Sequence, residues 1–158
     1  MSKRIILIGK AGSGKDFFAK KFIEKGFKYA TSYTTRPPTT GEVHGTDYVF
    51  TSREKFEKLI KMDFWYEHVS FNGWNYGTSK IQFRESDIFI MTPSGIAKLK
   101  EEDRKESLIM YLDIPYSIRE QRLKLRSDAD KVDRRLEADE KDFASFTDFD
   151  VRITNPDF

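Results

Sequence analysis

The sequence predicts an α/β fold, a parallel sheet flanked by helices, because three features occur together. An apolar run over residues 5–8 leads without a gap into a glycine-rich loop and then into a helical pattern. Further apolar runs over 88–91 and 108–114 alternate with helical patterns in the same way. A stretch rich in aromatic, strand-forming residues over 32–78 interrupts this alternation. We therefore expect it to form a separate β-rich insertion that holds a second substrate.

The loop after the first strand has the spacing G-x-x-x-x-G-K. This spacing is typical of a phosphate-binding loop, so the core is expected to be of the P-loop NTPase type. Glycines let successive N–H groups point at phosphate oxygens, and the helix that starts near Lys15 adds its positive dipole end. Lys15 is expected to contact the β- and γ-phosphates. The predicted nucleotide-binding residues of this loop are Gly9, Lys10, Ala11, Gly12, Ser13, Gly14, Lys15 and Asp16.

The remaining elements follow from local signals in chain order. A strand is expected over 27–33, followed by a proline-stiffened loop over 34–41 and a short strand over 48–50. The segment 51–54 matches a helix capping box that begins at Thr51. Alternating aromatic residues over 64–71, an Asn-Gly pair at 72–73 and a strand over 74–76 predict a hairpin. Further helices are expected to begin at Pro93, with Leu99 inside, at Pro115 and near Lys131, with a last strand over 149–154.

Composition restricts the class of protein. The chain has 158 residues, which the length prior assigns to one domain, 1–158. It has no cysteine, which excludes disulfides, thiolate zinc sites and cysteine nucleophiles. A net charge of +2 gives no reason to expect binding to nucleic acid or to a membrane. Because no signal peptide or apolar stretch of spanning length is present, we expect a cytoplasmic protein.

Beyond the loop, several motifs resemble those of the guanylate kinase family, and the likeness covers nearly the whole chain. The segments 32–36 (SYTTR) and 41–48 (GEVHGTDY) resemble the family's GMP-binding signature. Glu67, followed by residues 75–78 (NYGT), has the spacing with which the family holds guanine. Arg122, Arg126 and Arg135 resemble the arginines in and around its lid, here at about 126–135, and Asn155 resembles the asparagine beside the ATP base.

The resemblance implies an ATP-dependent nucleoside monophosphate kinase that phosphorylates GMP or dGMP, with Mg²⁺ as cofactor. The core would comprise 1–31 and 79–158, and 32–78 would be the monophosphate-binding insertion. Residues implied to be catalytic are Lys15, Arg36, Arg122, Arg126 and Arg135. Those implied to bind the monophosphate substrate are Ser32, Arg36, Tyr48, Glu67, Tyr76 and Thr78.

The chemistry of these side chains suits such a substrate. The planar fork of Arg36 can bind a phosphate, to which Tyr48, Tyr76 and Ser32 can donate further hydrogen bonds. Guanine presents N1–H and N2–H₂ as adjacent donors that one carboxylate, Glu67, can accept together. Adenine lacks this pair of donors and would leave the carboxylate unpaired. Thr78 is expected to donate to O6 of guanine.

The sequence departs from the family pattern at four places. Thr39 stands where a second phosphate-binding arginine is expected, and Ile90 and Thr92 stand where the family carries an acidic residue. Asp16 replaces the hydroxyl residue that follows the loop lysine, and the chain has a short lid and lacks a final helix. We hypothesise that Asp16 ligates Mg²⁺, directly or through water. The alternative is that Asp16 only caps the helix.

Two other functions remain open at this stage. The Gly-Lys-Asp ending of the loop and the missing strand acid also resemble ribose 1,5-bisphosphate phosphokinase, although the segment 41–48 and Glu67 do not. Guanylate-kinase-like domains of scaffold proteins bind phosphopeptides without catalysis, but they tend to lose an intact phosphate loop. The choice between ribose and deoxyribose and the oligomeric state are not readable from the sequence.

Overall fold

The computed structural model describes residues 3–125 and 129–158, without the side chains of 129–135. Within these ranges the chain forms strands and helices that we number in chain order. The strands are β1 (Arg4–Ile8), β2 (Tyr33–Thr34), β3 (Val49–Phe50), β4 (Trp65–Phe71), β5 (Trp74–Ser79), β6 (Ile88–Ile90), β7 (Ser107–Leu112) and β8 (Val151–Ile153). The helices are α1 (Lys15–Glu24), α2 (Arg53–Lys61), α3 (Lys80–Glu85), α4 (Pro93–Ala97), α5 (Glu101–Lys105), α6 (Tyr116–Lys124) and α7 (Ala129–Phe143).

A parallel sheet in the order β6-β1-β7-β8 forms the core. Because side chains alternate along a strand, β1 sends Ile6 and Ile8 to one face and Leu7 to the other, and all three are fully buried. Leu7 packs with Ala19 of α1, while the opposite face contacts Phe143 of α7. Helices therefore cover both faces of the sheet, as the sequence predicts for this α/β fold.

A second, mixed sheet in the order β3-β2-β5-β4 is built from residues 33–79. Strands β4 and β5 form the predicted hairpin, and Asn72 (φ 52°) and Gly73 (φ 82°) provide the two positive φ angles of its tight turn. Phe56 of α2 is fully buried and stacks on Trp65 with ring centroids 4.3 Å apart. This packing fixes α2 against the sheet that carries Glu67.

Several predicted element boundaries are wrong. Of the strand predicted over 27–33, only Tyr33 lies in a strand, β2, and the rest of the segment makes a single bridge, Tyr29 to Ile88, before the chain crosses to the second sheet. The N-cap of α2 is Ser52, whose Oγ accepts the Lys55 N–H, and Thr51 lies before it. The helix that begins at Pro93 ends at Ala97, so Leu99 lies outside it.

Helix α3 was not predicted at all. Its signal is a capping box in which the Ser79 Oγ accepts the Gln82 N–H at 3.1 Å and the Gln82 side chain accepts the Ser79 N–H at 3.0 Å. The helix brings Phe83 into the core, stacked on Tyr66 with centroids 3.7 Å apart. It therefore links the second sheet to the first.

Candidate active site

A cleft of about 170 Å³ opens between the carboxyl end of β1 and the second sheet. Gly9, Ala11 and Lys15 of the phosphate loop line one side of it. The side formed by the insertion is lined by Ser32, Arg36, Tyr48, Glu67 and Tyr76. These eight residues are all among those predicted from the sequence, so the fold brings the two predicted half-sites to one cavity.

The phosphate loop has the backbone that its glycines permit. Gly12 and Gly14 have φ angles of 79° and 93°, a region that other residues rarely adopt. A Cβ at Gly12 would also lie 2.8 Å from the Arg119 carbonyl oxygen, so the position has no room for a side chain. Helix α1 follows directly from Gly14, its N-cap, and no side chain caps its N-terminus, which is the end of a helix that favours a phosphate.

The Lys15 side chain folds back over the loop. Its Nζ donates to the Gly9 carbonyl oxygen at 2.5 Å and to the Lys10 carbonyl oxygen at 3.3 Å. This places the ammonium group at the edge of the cleft, which Lys15 also lines. A flexible four-carbon stem allows it to exchange these carbonyl oxygens for phosphate oxygens.

Arg36 is held by an acidic side chain that does not itself line the cleft. Its two terminal nitrogens donate to the two oxygens of Glu42 at 2.9 and 2.8 Å. Burial opposes ionisation of Glu42, but hydrogen bonds from Arg36 and Thr39 outweigh it and lower the pKa of Glu42 to about 2. The pKa of Arg36 is raised, chiefly by its hydrogen bond with Glu42, so both groups are charged across the working pH range.

Thr39, where the family pattern has an arginine, is part of the same network. Its N–H and its hydroxyl both donate to Glu42 Oε1, at 2.8 and 2.7 Å. The Tyr48 ring lies below the Arg36 guanidinium, 5.2 Å from its carbon, and 6.1 Å from the Tyr76 ring. The loop therefore presents one arginine in a fixed orientation rather than two.

Glu67 is a buried carboxyl group that faces the cleft. It is 7% exposed, and Thr78 Oγ1 donates to its Oε1 at 3.0 Å. Burial raises the pKa of Glu67 to about 7, against the smaller opposing effects of Thr78 and Lys98. Gly95 of α4 lies close to this carboxyl group, since a Cβ added there would be 3.0 Å from Glu67 Oε2. In this structure Thr78 is a partner of Glu67, and it is itself almost fully buried.

Two acidic residues of α7, Asp139 and Asp142, also line the cleft and were missed in the sequence. Asp139 is 5% exposed, and its Oδ2 accepts the Ala11 N–H at 2.6 Å. Burial, and then the charge of Asp139, raise the pKa of Asp142. A sequence signal does exist, because Asp139 lies three residues after buried Leu136 and four before buried Phe143. A helical apolar stripe with a carboxylate inside it marks a polar group turned toward the interior.

The other predicted residues lie around the loop rather than in the cleft. Lys10 pairs with Glu140 at 2.9 Å, and Arg122 donates to the carbonyl oxygens of Gly12 and Pro156, both at 3.1 Å. Asn155 is exposed, and its Oδ1 accepts the Asp157 N–H. Arg126 lies outside the described residues, as does the side chain of Arg135. Of the predicted lid at 126–135, residues 129–135 belong to α7. Ser13 is fully buried beneath the loop.

Asp16 and Thr92 occupy positions where the sequence departs from the family pattern. Asp16 is exposed in the first turn of α1, and it does not cap that helix, because the N-cap is Gly14. Thr92 does serve as a cap, since its Oγ1 accepts the Gly95 N–H at 3.1 Å at the start of α4. Ile90 and Thr92 both line the cleft, so the end of β6 presents no carboxylate to it.

Comparison with known protein families identifies the family of this chain. The family model described as guanylate kinase matches residues 1–158 of the chain. The chain belongs to the guanylate kinase family. This confirms the resemblance found in the sequence and the prediction of an ATP-dependent phosphotransferase of the guanylate kinase type.

Individual guanylate kinases match over most of their length. That of Rubrobacter xylanophilus is 31% identical over 166 residues, which are 98% of this chain and 86% of the relative. The human protein is 30% identical over 165 residues, 96% of this chain and 84% of the relative. The crystal structure of guanylate kinase from Anaplasma phagocytophilum has a TM-score of 0.74 at 24% identity, and the match covers 99% of this chain and 79% of that one. The structural match confirms the predicted fold.

No helix in residues 3–125 and 129–158 is both long enough and apolar enough to cross a membrane.

Proposed function

We propose that this guanylate kinase family member transfers the γ-phosphoryl group of ATP to GMP or dGMP in the cleft between the phosphate loop and the second sheet. The observation that carries the proposal is the shared cavity, in which Lys15 and the loop face Arg36 and Glu67. One half of the cavity has donors suited to a polyphosphate. The other has a cation for a monophosphate and a carboxylate for a base.

Guanine recognition is assigned to Glu67. Its buried carboxyl group would accept the N1–H and N2–H₂ donors of guanine, and these hydrogen bonds would offset the cost of holding a carboxylate at 7% exposure. Thr78 holds one carboxyl oxygen from the far side, at 3.0 Å, and so orients the group. An adenine or pyrimidine base lacks the pair of donors and would leave the carboxylate unsatisfied.

Phosphate binding and transfer are assigned to cationic and N–H groups. Arg36, held by Glu42, would bind the monophosphate with Tyr48, Tyr76 and Ser32, while Lys15 and the loop N–H groups bind the ATP phosphates. Arg122 contacts the loop through Gly12, and we propose that Arg126 and Arg135 approach the transferring group when the lid closes. In-line transfer needs only positioning and charge neutralisation, so no covalent intermediate is proposed.

We propose Mg²⁺ as the cofactor, with Asp16 as its protein ligand. The exposed carboxylate of Asp16 follows Lys15 directly, and a carboxylate plus phosphate oxygens is a donor set that Mg²⁺ favours. Residues 3–125 and 129–158 contain no group of three or more acidic or histidine side chains arranged to hold a metal, so most ligands would come from phosphate and water. When bound, the ion neutralises charge on the β- and γ-phosphates.

The wider assignment is also part of the proposal. We propose one guanylate-kinase-like domain, with a core of 1–31 and 79–158, a monophosphate-binding insertion of 32–78 and a cytoplasmic location. Asn155, next to the segment that Arg122 contacts through Pro156, is assigned to the ATP base. The only partners we propose are the nucleotides ATP and GMP or dGMP, without nucleic acid or membrane.

A coupled ADP-release assay with ATP and Mg²⁺ tests the proposal. The acceptors are GMP, dGMP, AMP, the pyrimidine monophosphates and ribose 1,5-bisphosphate. Turnover confined to GMP and dGMP supports it. Turnover on the sugar bisphosphate alone would indicate that the site is that of a sugar-phosphate kinase. No turnover by folded protein would favour a binding module without catalysis. A Lys15→Met variant is the negative control, and removal of Mg²⁺ should abolish the wild-type signal.

A further inference from the structure

Helix α7 is attached to the phosphate loop at adjacent positions. Leu136 packs with Ala11 and Leu123 in a small buried cluster. One turn later, Glu140 pairs with Lys10 at 2.9 Å, and Asp139 accepts the Ala11 N–H at 2.6 Å. The hydrogen bond between Asp139 and Ala11 lies on the side of the loop that opens into the cleft, because both residues line it.

Asp139 therefore places a buried anion on the N–H of a loop whose N–H groups would otherwise bind phosphate oxygens. At 2.6 Å the bond is short for N–H···O, as expected for a charge-assisted bond to a carboxylate. Two anions cannot use the same N–H at this distance, and a triphosphate beside Asp139 would also be repelled by its charge. Asp142, one turn along α7, lines the same cleft and adds to that repulsion.

We propose that Asp139 is an internal competitor for the phosphate loop, an autoinhibitory contact that ATP must displace from the Ala11 N–H. The inference rests on the proposed function, because it assumes that the loop binds the phosphates of ATP. GMP makes its contacts on the other side of the cleft, so the competition acts on ATP and not on GMP. In the nucleotide-free protein, Asp139 holds α7 on the loop, and ATP binding releases that part of the helix.

The opposite possibility is that Asp139 shapes the loop for ATP. The two possibilities predict opposite changes in ATP affinity when Asp139 is replaced. A residue that shapes the loop helps ATP to bind, whereas a competitor hinders it. Asp139→Ala removes the carboxylate, whereas Asp139→Asn keeps its size and an acceptor oxygen without the charge. Glu137, exposed on the same helix, provides the matched control Glu137→Gln, which removes one negative charge of α7 away from the loop.

Titration calorimetry of the whole chain with ATP and, separately, with GMP tests the proposal in the presence of Mg²⁺. Asp139→Ala should bind ATP about tenfold more tightly than wild type, and Asp139→Asn should fall between the two. The affinity for GMP should not change in either variant, and Glu137→Gln should match wild type throughout.

Equal or weaker ATP binding by folded Asp139→Ala would overturn the proposal, as would an equal gain for GMP and ATP. If Asp139→Ala does not fold, Asp139→Asn provides the test, and it too should bind ATP more tightly than wild type with no change for GMP. Wild-type protein that binds no ATP contradicts the proposed function. The competitor would still be supported if the variants then acquired ATP binding, and would be rejected if they did not.

Discussion

Substitution of Glu67 by glutamine should stabilise the nucleotide-free protein at alkaline pH while it destroys the recognition of guanine. Glu67 is 7% exposed, and burial raises its pKa to about 7 from 4.5. The ionised form is therefore disfavoured in the folded protein and unperturbed in the unfolded chain. Glutamine has nearly the same shape, never ionises and avoids this cost.

The direction and the magnitude of this change in stability follow from the difference between the pKa of Glu67 in the folded and in the unfolded protein. Below about pH 4.5 the carboxyl group is protonated in both states and contributes no pH dependence. Between 4.5 and about 7 the unfolded chain loses the proton while the folded protein keeps it, so stability falls as the pH rises, and it levels off above 7. The difference between 4.5 and about 7 corresponds to about 3 kcal/mol. Most of this, about 2–3 kcal/mol, develops between pH 5 and pH 8.

Urea denaturation at pH 5 and pH 8 measures the effect for wild type and for Glu67→Gln. The stability of the variant relative to wild type should rise by about 2–3 kcal/mol from pH 5 to pH 8. Comparing the two pH values cancels any pH-independent effect of the new amide. Glu57→Gln, on an exposed position of α2, is the control and should show no such change. A relative stability that is constant with pH, or that moves in favour of wild type, refutes the reasoning.

The same carboxyl group should make GMP binding depend on pH. Guanine needs the carboxylate as a double acceptor, so the KM for GMP should rise about tenfold as the pH falls from 8 to 6, through the pKa of about 7. In Glu67→Gln, kcat/KM for GMP should fall about a hundredfold or more and lose this pH dependence. A wild-type KM that does not change over that range would contradict the assignment of Glu67.

Three further substitutions test other parts of the cleft. Lys15→Met should reduce kcat by about a thousandfold or more with the fold intact by circular dichroism, and near-normal turnover would exclude the loop as the ATP site. Glu42→Gln should raise the KM for GMP about tenfold with a smaller change in kcat, because Arg36 loses the charged partner that orients it. A lower KM in this variant would show instead that Glu42 competes with the phosphate of GMP for Arg36. Gly95→Ala should weaken GMP binding by crowding Glu67, where the new Cβ would lie 3.0 Å from Oε2, and unchanged affinity would mean that α4 yields to the methyl group.

The parts of the fold that were predictable are those fixed by local pattern. The glycine spacing at 9–15 fixes a loop between a buried strand and a helix, because few other residues tolerate the φ angles of Gly12 and Gly14. The Asn72-Gly73 turn was equally readable. Residues 27–33 were misjudged because their apolar pattern serves a crossing between two sheets, where Tyr29 forms one bridge and Ala30 fills the core.

In the candidate site too, residues marked by a sequence motif could be predicted, whereas contacts that form only in the folded protein could not. Arg36 could be predicted because it lies in a contiguous motif, and Glu67 because of its spacing from residues 75–78. The apolar stripe of α7 marks Asp139 as a carboxylate turned toward the interior, but it does not reveal the partner, because the Ala11 N–H lies 128 positions earlier in the chain. The hydrogen bonds of Thr39 to Glu42 depend in the same way on the folded loop.

The departures from the family pattern at Thr39 and Thr92 can be related to the distribution of charge in the cleft. Where a second phosphate arginine is absent, Thr39 gives both of its donors to Glu42, which fixes the remaining Arg36 through two hydrogen bonds. A single arginine held rigidly loses less entropy on binding phosphate than a mobile one, and this offsets part of the missing charge. The acid absent at Thr92 is matched by carboxylates that enter the cleft from α7. They lie beside the loop to which we assign ATP, so the negative charge of this cleft lies next to the proposed ATP site and not at the end of β6.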